Sequence, residues 1–320
     1  MNICVIGCGR WGSLITWYLD RIGHRVTLYG RSHSKRMQSF LTTRKNDLLS
    51  LPESVALTTE LSAVDEAETI IISIGSQGLQ ALMEELAAYE LKSKTFVLCM
   101  KGLEIGTGRR LSEIAKDNLD ASNRVAVWLG PGHVQEFYRG VPNCMVIDSD
   151  DEDTKCRLID AFSGDLIRFY YGSDLIGNEV GAAAKNVVGI AAGLLDGLHL
   201  SSLKGALMSR GTREVARLIC ALGGDERSAY GLCHLGDYEA TVFSKYSHNR
   251  QFGESFAKGE TYQNLAEGYY TVRAMLLLGE KYGVELPICE AVYRILYENA
   301  PPRDVLHELL ARGLKGEFDD

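Results

Sequence analysis

The chain of 320 residues has no C-x-x-C pair among its eight cysteines, Cys4, Cys8, Cys99, Cys144, Cys156, Cys220, Cys233 and Cys289. Structural zinc takes closely paired thiolates, so no metal site is expected. Several of these cysteines lie inside apolar runs, as free buried thiols do in a reducing compartment. Positive charge is not in excess either: 34 Lys and Arg against 42 Asp and Glu leave a net charge of −8. That balance gives no electrostatic footprint for nucleic acid or an anionic membrane, so an anionic ligand must be met by a local positive site. No apolar run is long enough for stable insertion in a bilayer, and the longest, Val187–Leu195, is broken by glycines. No basic stretch followed by an apolar one precedes the first strand, so no signal peptide is expected and the cytoplasm is the expected location. Repeats, low-complexity segments and a long linker are absent.

What is present begins at once. Ile3-Cys4-Val5-Ile6 reads as a short buried strand, Gly7-Cys8-Gly9-Arg10-Trp11-Gly12 as a turn spaced G-x-G-x-x-G, and Ser13–Leu19 as a helix opening from that turn. Holding a pyrophosphate requires this arrangement. Gly7 permits the tight turn, Gly9 lets backbone approach the phosphates, and Gly12 lets helix and strand pack closely. The free N–H groups and the positive dipole end of the helix then face the anion. A second strand follows at Arg25–Tyr29, where a dinucleotide-binding unit needs it.

The first half of the chain alternates apolar strands (3–6, 25–29, 69–74, 95–100, 125–129, 144–147 and 166–170) with helical spacing such as Leu79–Ala88 and Arg110–Asn118. This predicts an α/β, Rossmann-like, doubly wound and mostly parallel sheet over residues 1–172. From Leu175 onward the pattern is helical, at Asn178–Leu195, Ser201–Leu222, Tyr262–Tyr282, Pro287–Glu298 and Arg303–Arg312. An all-α domain is therefore expected over 173–320. Ligands on such sheets collect at the carboxyl ends of the strands. Those ends read Gly7–Gly12, Tyr29-Gly30-Arg31, Gly75-Ser76-Gln77, Lys101-Gly102 and Gly130-Pro131-Gly132-His133. An edge this rich in glycine and polar residues suits a long ligand lying across the sheet, and a dinucleotide fits.

The acid that usually accepts hydrogen bonds from the NAD ribose is missing after the second strand. Gly30-Arg31-Ser32-His33-Ser34-Lys35-Arg36 stands there instead, and Arg31, Lys35 and Arg36 suit a 2′-phosphate, favouring NADPH over NADH. The helix Asn178–Gly193 carries small residues on nearly every side and one cation, Lys185. Small residues allow close approach to another surface, the cofactor domain being the expected one. Lys185 would then be partly desolvated and its pKa lowered toward working pH, as proton transfer to a carbonyl oxygen requires. A polar stretch, Gly236–Thr241 with Tyr246–Gly253, offers an acid to orient that lysine and donors for a phosphate.

With these residues the chain resembles the bacterial-type NAD(P)-dependent glycerol-3-phosphate dehydrogenases along nearly its whole length. The resemblance rests on Gly7-x-Gly9-x-Trp11-Gly12, Lys101-Gly102-Leu103-Glu104, Gly130-Pro131, Asn178-Glu179-Val180-Gly181-x-x-x-Lys185-Asn186, Arg210-Gly211, Leu235-Gly236-Asp237, Asn249-Arg250-x-Phe252-Gly253, Glu267-Gly268 and Leu286-Pro287-Ile288. It implies reversible reduction of dihydroxyacetone phosphate to sn-glycerol 3-phosphate for glycerophospholipid synthesis, by a homodimer. It also implies Lys185 as proton donor and acceptor, oriented by Asp237, with Asn186 and Thr241 near the substrate. Lys101 would reach both cofactor and substrate, and Gly130 lies in the substrate loop. Arg10, Trp11, Arg31, Val134, Leu265 and Glu267 match cofactor positions, and Ser247, His248 and Asn249 the segment that holds the substrate phosphate.

Two departures fall at the substrate. The related pattern Ser-Arg-Asn, whose arginine grips the phosphate and touches the cofactor, is here Ser247-His248-Asn249. Gly-Pro-Ser is here Gly130-Pro131-Gly132, without the hydroxyl. Arg250 or a protonated His248 is then the expected phosphate contact. The alternatives are a dehydrogenase for another phosphorylated or carboxylated hydroxy compound, and a non-catalytic NAD(P) sensor.

Overall fold

A computed structural model describes residues 1–314, 316 and 317; the end of the expected second domain, residues 315 and 318–320, lies outside the described residues. Among the described residues eight strands form one sheet: β1 (Asn2–Ile6), β2 (Arg25–Tyr29), β3 (Ala56–Thr58), β4 (Thr69–Ile72), β5 (Thr95–Leu98), β6 (Arg124–Leu129), β7 (Asn143–Ser149) and β8 (Ile167–Tyr171). Their spatial order is β3-β2-β1-β4-β5-β6-β7-β8. The six strands β1–β6 are mutually parallel, with Ile3 beside Val26 on one side and Thr69 on the other. Strand β7 pairs antiparallel with β6, and β8 runs parallel to β7. Between β6 and β7 the chain turns back through Gly130 and Gly132, at φ +128° and +140°. Strand β3, only three residues long, has too little alternation to be legible in the sequence.

Side chains alternate across the sheet and build two cores. Ile3, Val5, Val97 and Trp128 pack on one face with Leu14 and Tyr18, whereas Cys4, Ile6, Phe96 and Leu98 pack on the other with Leu82 and Ile114. The helices of this half are α1 (Arg10–Arg21), α2 (Lys35–Thr43), α3 (Leu79–Ala87), α4 (Leu111–Asn118), α5 (Val134–Tyr138) and α6 (Glu152–Phe162).

The chain leaves the sheet at Tyr171 and enters α7 (Leu175–Gly197), followed by α8 (Lys204–Ala221), α9 (His248–Ala257), α10 (Glu267–Tyr282), α11 (Pro287–Tyr297) and α12 (Pro302–Leu310). Helix α7 starts three residues earlier than its apolar pattern indicates because Asp174 caps it, accepting from Gly177 N at 3.0 Å. Every residue from Gly177 to Leu195 is buried, which marks α7 as the central helix of this half. It is pinned to the start of α4 by Glu179, which accepts from Ser112 N at 2.9 Å and from Arg110 Nη1 at 3.0 Å.

The small residues of α7 serve mainly another helix, not the cofactor domain. Ala182 does pack with the sheet core. A Cβ on Gly193, however, would stand 1.9 Å from Arg250 O, and one on Gly253 2.1 Å from Ile190 O, so α7 and α9 touch backbone to backbone. Helix α9 lies in the stretch expected only to be polar, and it turns Phe252, Phe256 and Ala257 toward the core of this half. Residues 262–266, expected to begin the next helix, precede α10 as irregular chain. Among the described residues no helix is long and apolar enough to cross a membrane.

Candidate active site

The glycine-rich turn closes on itself. Gly7 holds φ +116°, with a Cβ position 2.1 Å from Ser73 O, and a Cβ on Gly12 would lie 1.9 Å from Gly7 O. Gly9 is the N-cap of α1 and supplies no side-chain acceptor, so the first N–H groups of the helix stay available to a ligand. Trp11 packs edge-on against Phe137 at 5.9 Å, and its indole Nε1 is buried without a partner among the described residues. Val134 is buried at the start of α5. Across the strand ends, Glu267 accepts from Ser76 N at 3.0 Å and Ser76 Oγ at 2.5 Å, and a Cβ on Gly75 would meet Leu265 Cδ2 at 3.7 Å. Beyond β2, Arg31 pairs with Glu85 at 2.8 Å on the surface. It is Arg36 that leans over the turn, its Nη1 3.9 Å from a Cβ position on Gly9.

Next to this edge lies a polar centre. Lys185 Nζ stands 2.6 Å from Asp237 Oδ2 and donates to Thr241 Oγ1 at 2.9 Å. Lys101 Nζ reaches the same Asp237 oxygen at 2.7 Å and Gly130 O at 2.6 Å. Asn186 Nδ2 donates to Lys101 O at 2.9 Å, Asn249 Nδ2 to Asn186 Oδ1 at 3.0 Å, and Gly268 N to Asn249 Oδ1 at 2.9 Å. One chain of contacts thus ties the end of β5 to α7, α9 and α10. Lys185 and Asp237 are 7% and 1% exposed. Desolvation pulls the Lys185 ammonium down to about 8, with Asp237 opposing the fall and Lys101 adding to it. Asp237 Oδ1 and His133 Nε2 are buried and lack hydrogen-bond partners among the described residues.

A second constellation crosses from α1 to α9. Arg10 Nη1 lies 2.5 Å from His248 Nε2, His248 Nδ1 lies 2.5 Å from Tyr262 Oη, and Tyr262 donates to Gln251 Oε1 at 2.9 Å. A guanidinium only donates, so His248 Nε2 accepts and the ring proton sits on Nδ1. Burial lowers the His248 pKa, and Arg10 and Arg36 lower it further, which keeps the ring neutral.

The N-terminal model of the NAD-dependent glycerol-3-phosphate dehydrogenases matches residues 2–155 and the C-terminal model residues 174–307. The chain belongs to this family. It is 33% identical over 333 residues to the glycerol-3-phosphate dehydrogenase [NAD(P)+] of Prosthecochloris aestuarii, covering 99% of this chain and 100% of that one. The Nitrosomonas eutropha enzyme of the same name is 34% identical, covering 100% of both chains. The crystal structure of glycerol-3-phosphate dehydrogenase from Coxiella burnetii superposes with a TM-score of 0.91 at 28% identity, covering 97% of this chain and 99% of that one.

Against the family resemblance, the phosphate segment is arranged otherwise than expected. His248 Nε2 faces Arg10, so this ring nitrogen is already engaged by a guanidinium. Arg250 is engaged elsewhere, with Asp196 at 2.7 Å, Glu254 at 2.9 Å and Ser244 O at 3.1 Å. Ser247 caps α9, its Oγ accepting from Arg250 N at 3.3 Å. The missing hydroxyl at Gly132 also has a reason, since a Cβ there would lie 2.2 Å from the Phe137 ring. Tyr262 and Gln251 carry no motif, and only the fold shows that they support His248.

Proposed function

We propose that this protein catalyses the reversible NAD(P)H-dependent reduction of dihydroxyacetone phosphate to sn-glycerol 3-phosphate, with Lys185 as the general acid and base. The observation that carries the reading is the buried Lys185–Asp237 pair at 2.6 Å, shared with Lys101, beside a glycine-rich edge shaped for a dinucleotide. The uncapped α1 terminus and the buried, unpartnered Trp11 Nε1 fit such a cofactor. When bound, the reduced nicotinamide supplies the hydride. Lys185 donates a proton from Nζ to the carbonyl oxygen of the substrate. The neutral amine that remains is kept in place by Asp237 Oδ2 and Thr241 Oγ1, while Lys101 continues to balance the carboxylate. In the oxidative direction the neutral Lys185 takes the hydroxyl proton back.

The cofactor preference in this reading is NADPH. No carboxylate follows β2 in the run Arg31–Arg36, Arg36 leans over Gly9, and the exposed Arg31–Glu85 pair is weak enough to exchange for a 2′-phosphate. Residues 1–172 form the cofactor unit and 173–320 the catalytic helical unit. A homodimer and a cytoplasmic location complete the reading.

The test is cofactor oxidation with dihydroxyacetone phosphate, run with NADPH and NADH in parallel. Rapid, substrate-dependent oxidation faster with NADPH is expected. Binding of NADPH without turnover would overturn the substrate assignment.

A further inference from the structure

The Arg10 guanidinium is half-buried and, among the described residues, no carboxylate stands within ion-pair reach of it. Its partners are His248 Nε2 at 2.5 Å and Gln135 Oε1 at 3.3 Å, both uncharged. Arg36 is a second cation close enough to act on both Arg10 and His248. Withdrawing a cation from water beside another cation is costly unless an anion completes the site. Its orientation, moreover, is fixed from behind by the chain Gln251–Tyr262–His248, in which each group has only one consistent hydrogen-bonding direction.

The position of that guanidinium points to one anion. Arg10 opens α1, but its side chain crosses to α9, where the next residue, Asn249, bonds to Asn186 beside Lys185. His133, at the start of α5, feels the charges of Arg10, Lys185 and Asp237 together. The contacts Arg10–His248 and Asn249–Asn186, on adjacent residues of α9, thus lead from the guanidinium to the residue next to Lys185.

We infer that Arg10, positioned by neutral His248 and Tyr262, grips the phosphate group of the substrate. This rests on the proposed reaction and adds to it the residue that selects a phosphorylated substrate. The guanidinium expected on α9 is supplied here from the glycine-rich turn, and His248 has become its support.

The experiment is steady-state kinetics with dihydroxyacetone phosphate, together with direct NADPH titration, for wild type, Arg10→Gln, Tyr262→Phe and the double variant Arg10→Ser/His248→Arg. Loss of one charged, bidentate-capable contact should raise KM for the substrate by about tenfold to a hundredfold in Arg10→Gln, with the NADPH Kd little changed. The double variant, which returns the guanidinium from the opposite wall, should recover most of that loss. Tyr262→Phe should raise KM by a few-fold and leave kcat alone, a split that general loosening of the fold would not produce. An unchanged KM with a raised NADPH Kd in Arg10→Gln would assign Arg10 to the cofactor and overturn the inference. Wild type that fails to turn over dihydroxyacetone phosphate would instead overturn the functional reading on which it rests.

Discussion

Lys185 and Asp237 meet at 2.6 Å with both side chains almost sealed from water, and the carboxylate oxygen that holds Lys185 also holds Lys101. Two cations on one oxygen make Lys185 easier to deprotonate than a lysine paired on its own, and burial adds to this.

The pH dependence follows from that pair. The Lys185 pKa is brought down from its usual value to about 8. Reduction needs the ammonium, so its rate should be full below pH 8 and fall as pH rises through it. Oxidation needs the neutral amine and should rise over the same range. Lys185→Ala should lower kcat in both directions by ~10²–10⁴ and abolish both limbs, with NADPH binding retained. A variant that kept its pH profile would remove Lys185 from the proton transfer.

Asp237→Asn takes away the charge that favours the ammonium while leaving Thr241 in place. The reductive limb should then move to lower pH by about one to two units, as expected for loss of a close opposite charge. Its kcat at neutral pH should drop accordingly. An unmoved limb would show that Asp237 does not set the protonation of Lys185.

Gly193→Ala places a methyl group 1.9 Å from Arg250 O and 2.8 Å from Glu254 N, both of them backbone atoms. Nothing short of parting α7 from α9 relieves the clash, at a cost of about 3 kcal/mol or more. A melting temperature lower by about 5–10 °C is expected, measured by calorimetry. Because Asn249 on α9 bonds to Asn186 on α7, activity at temperatures where the variant is folded should fall as well. Normal melting would mean that the helices do not pack this closely.

Much of this architecture is local in origin and was therefore legible in the chain. Strands buried on both faces are continuous apolar runs, which is why β1, β2, β4, β5 and β6 stand out. The turn Gly7–Gly12 is legible because its backbone conformation admits little else, and Lys185 because it is the lone cation in a helix of small residues. What the sequence by itself determined is thus the buried strands, the conformation of the glycine-rich turn and the placing of Lys185 in a helix of small residues, each encoded within a window of a few turns.

Tertiary structure decided the rest. Whether Arg250 or Arg10 faces the cleft depends on Asp196 and His248, which are 54 and 238 residues away in sequence. Gly193 and Gly197 of α7 meet the backbone and Ala257 of α9, a pairing that appears only in the folded chain. The charge state of His248 follows from burial and from two arginines on α1 and α2. Hydrogen-bond direction, desolvation and charge proximity arise only when distant segments are brought within a few ångströms. No local pattern in the sequence records them.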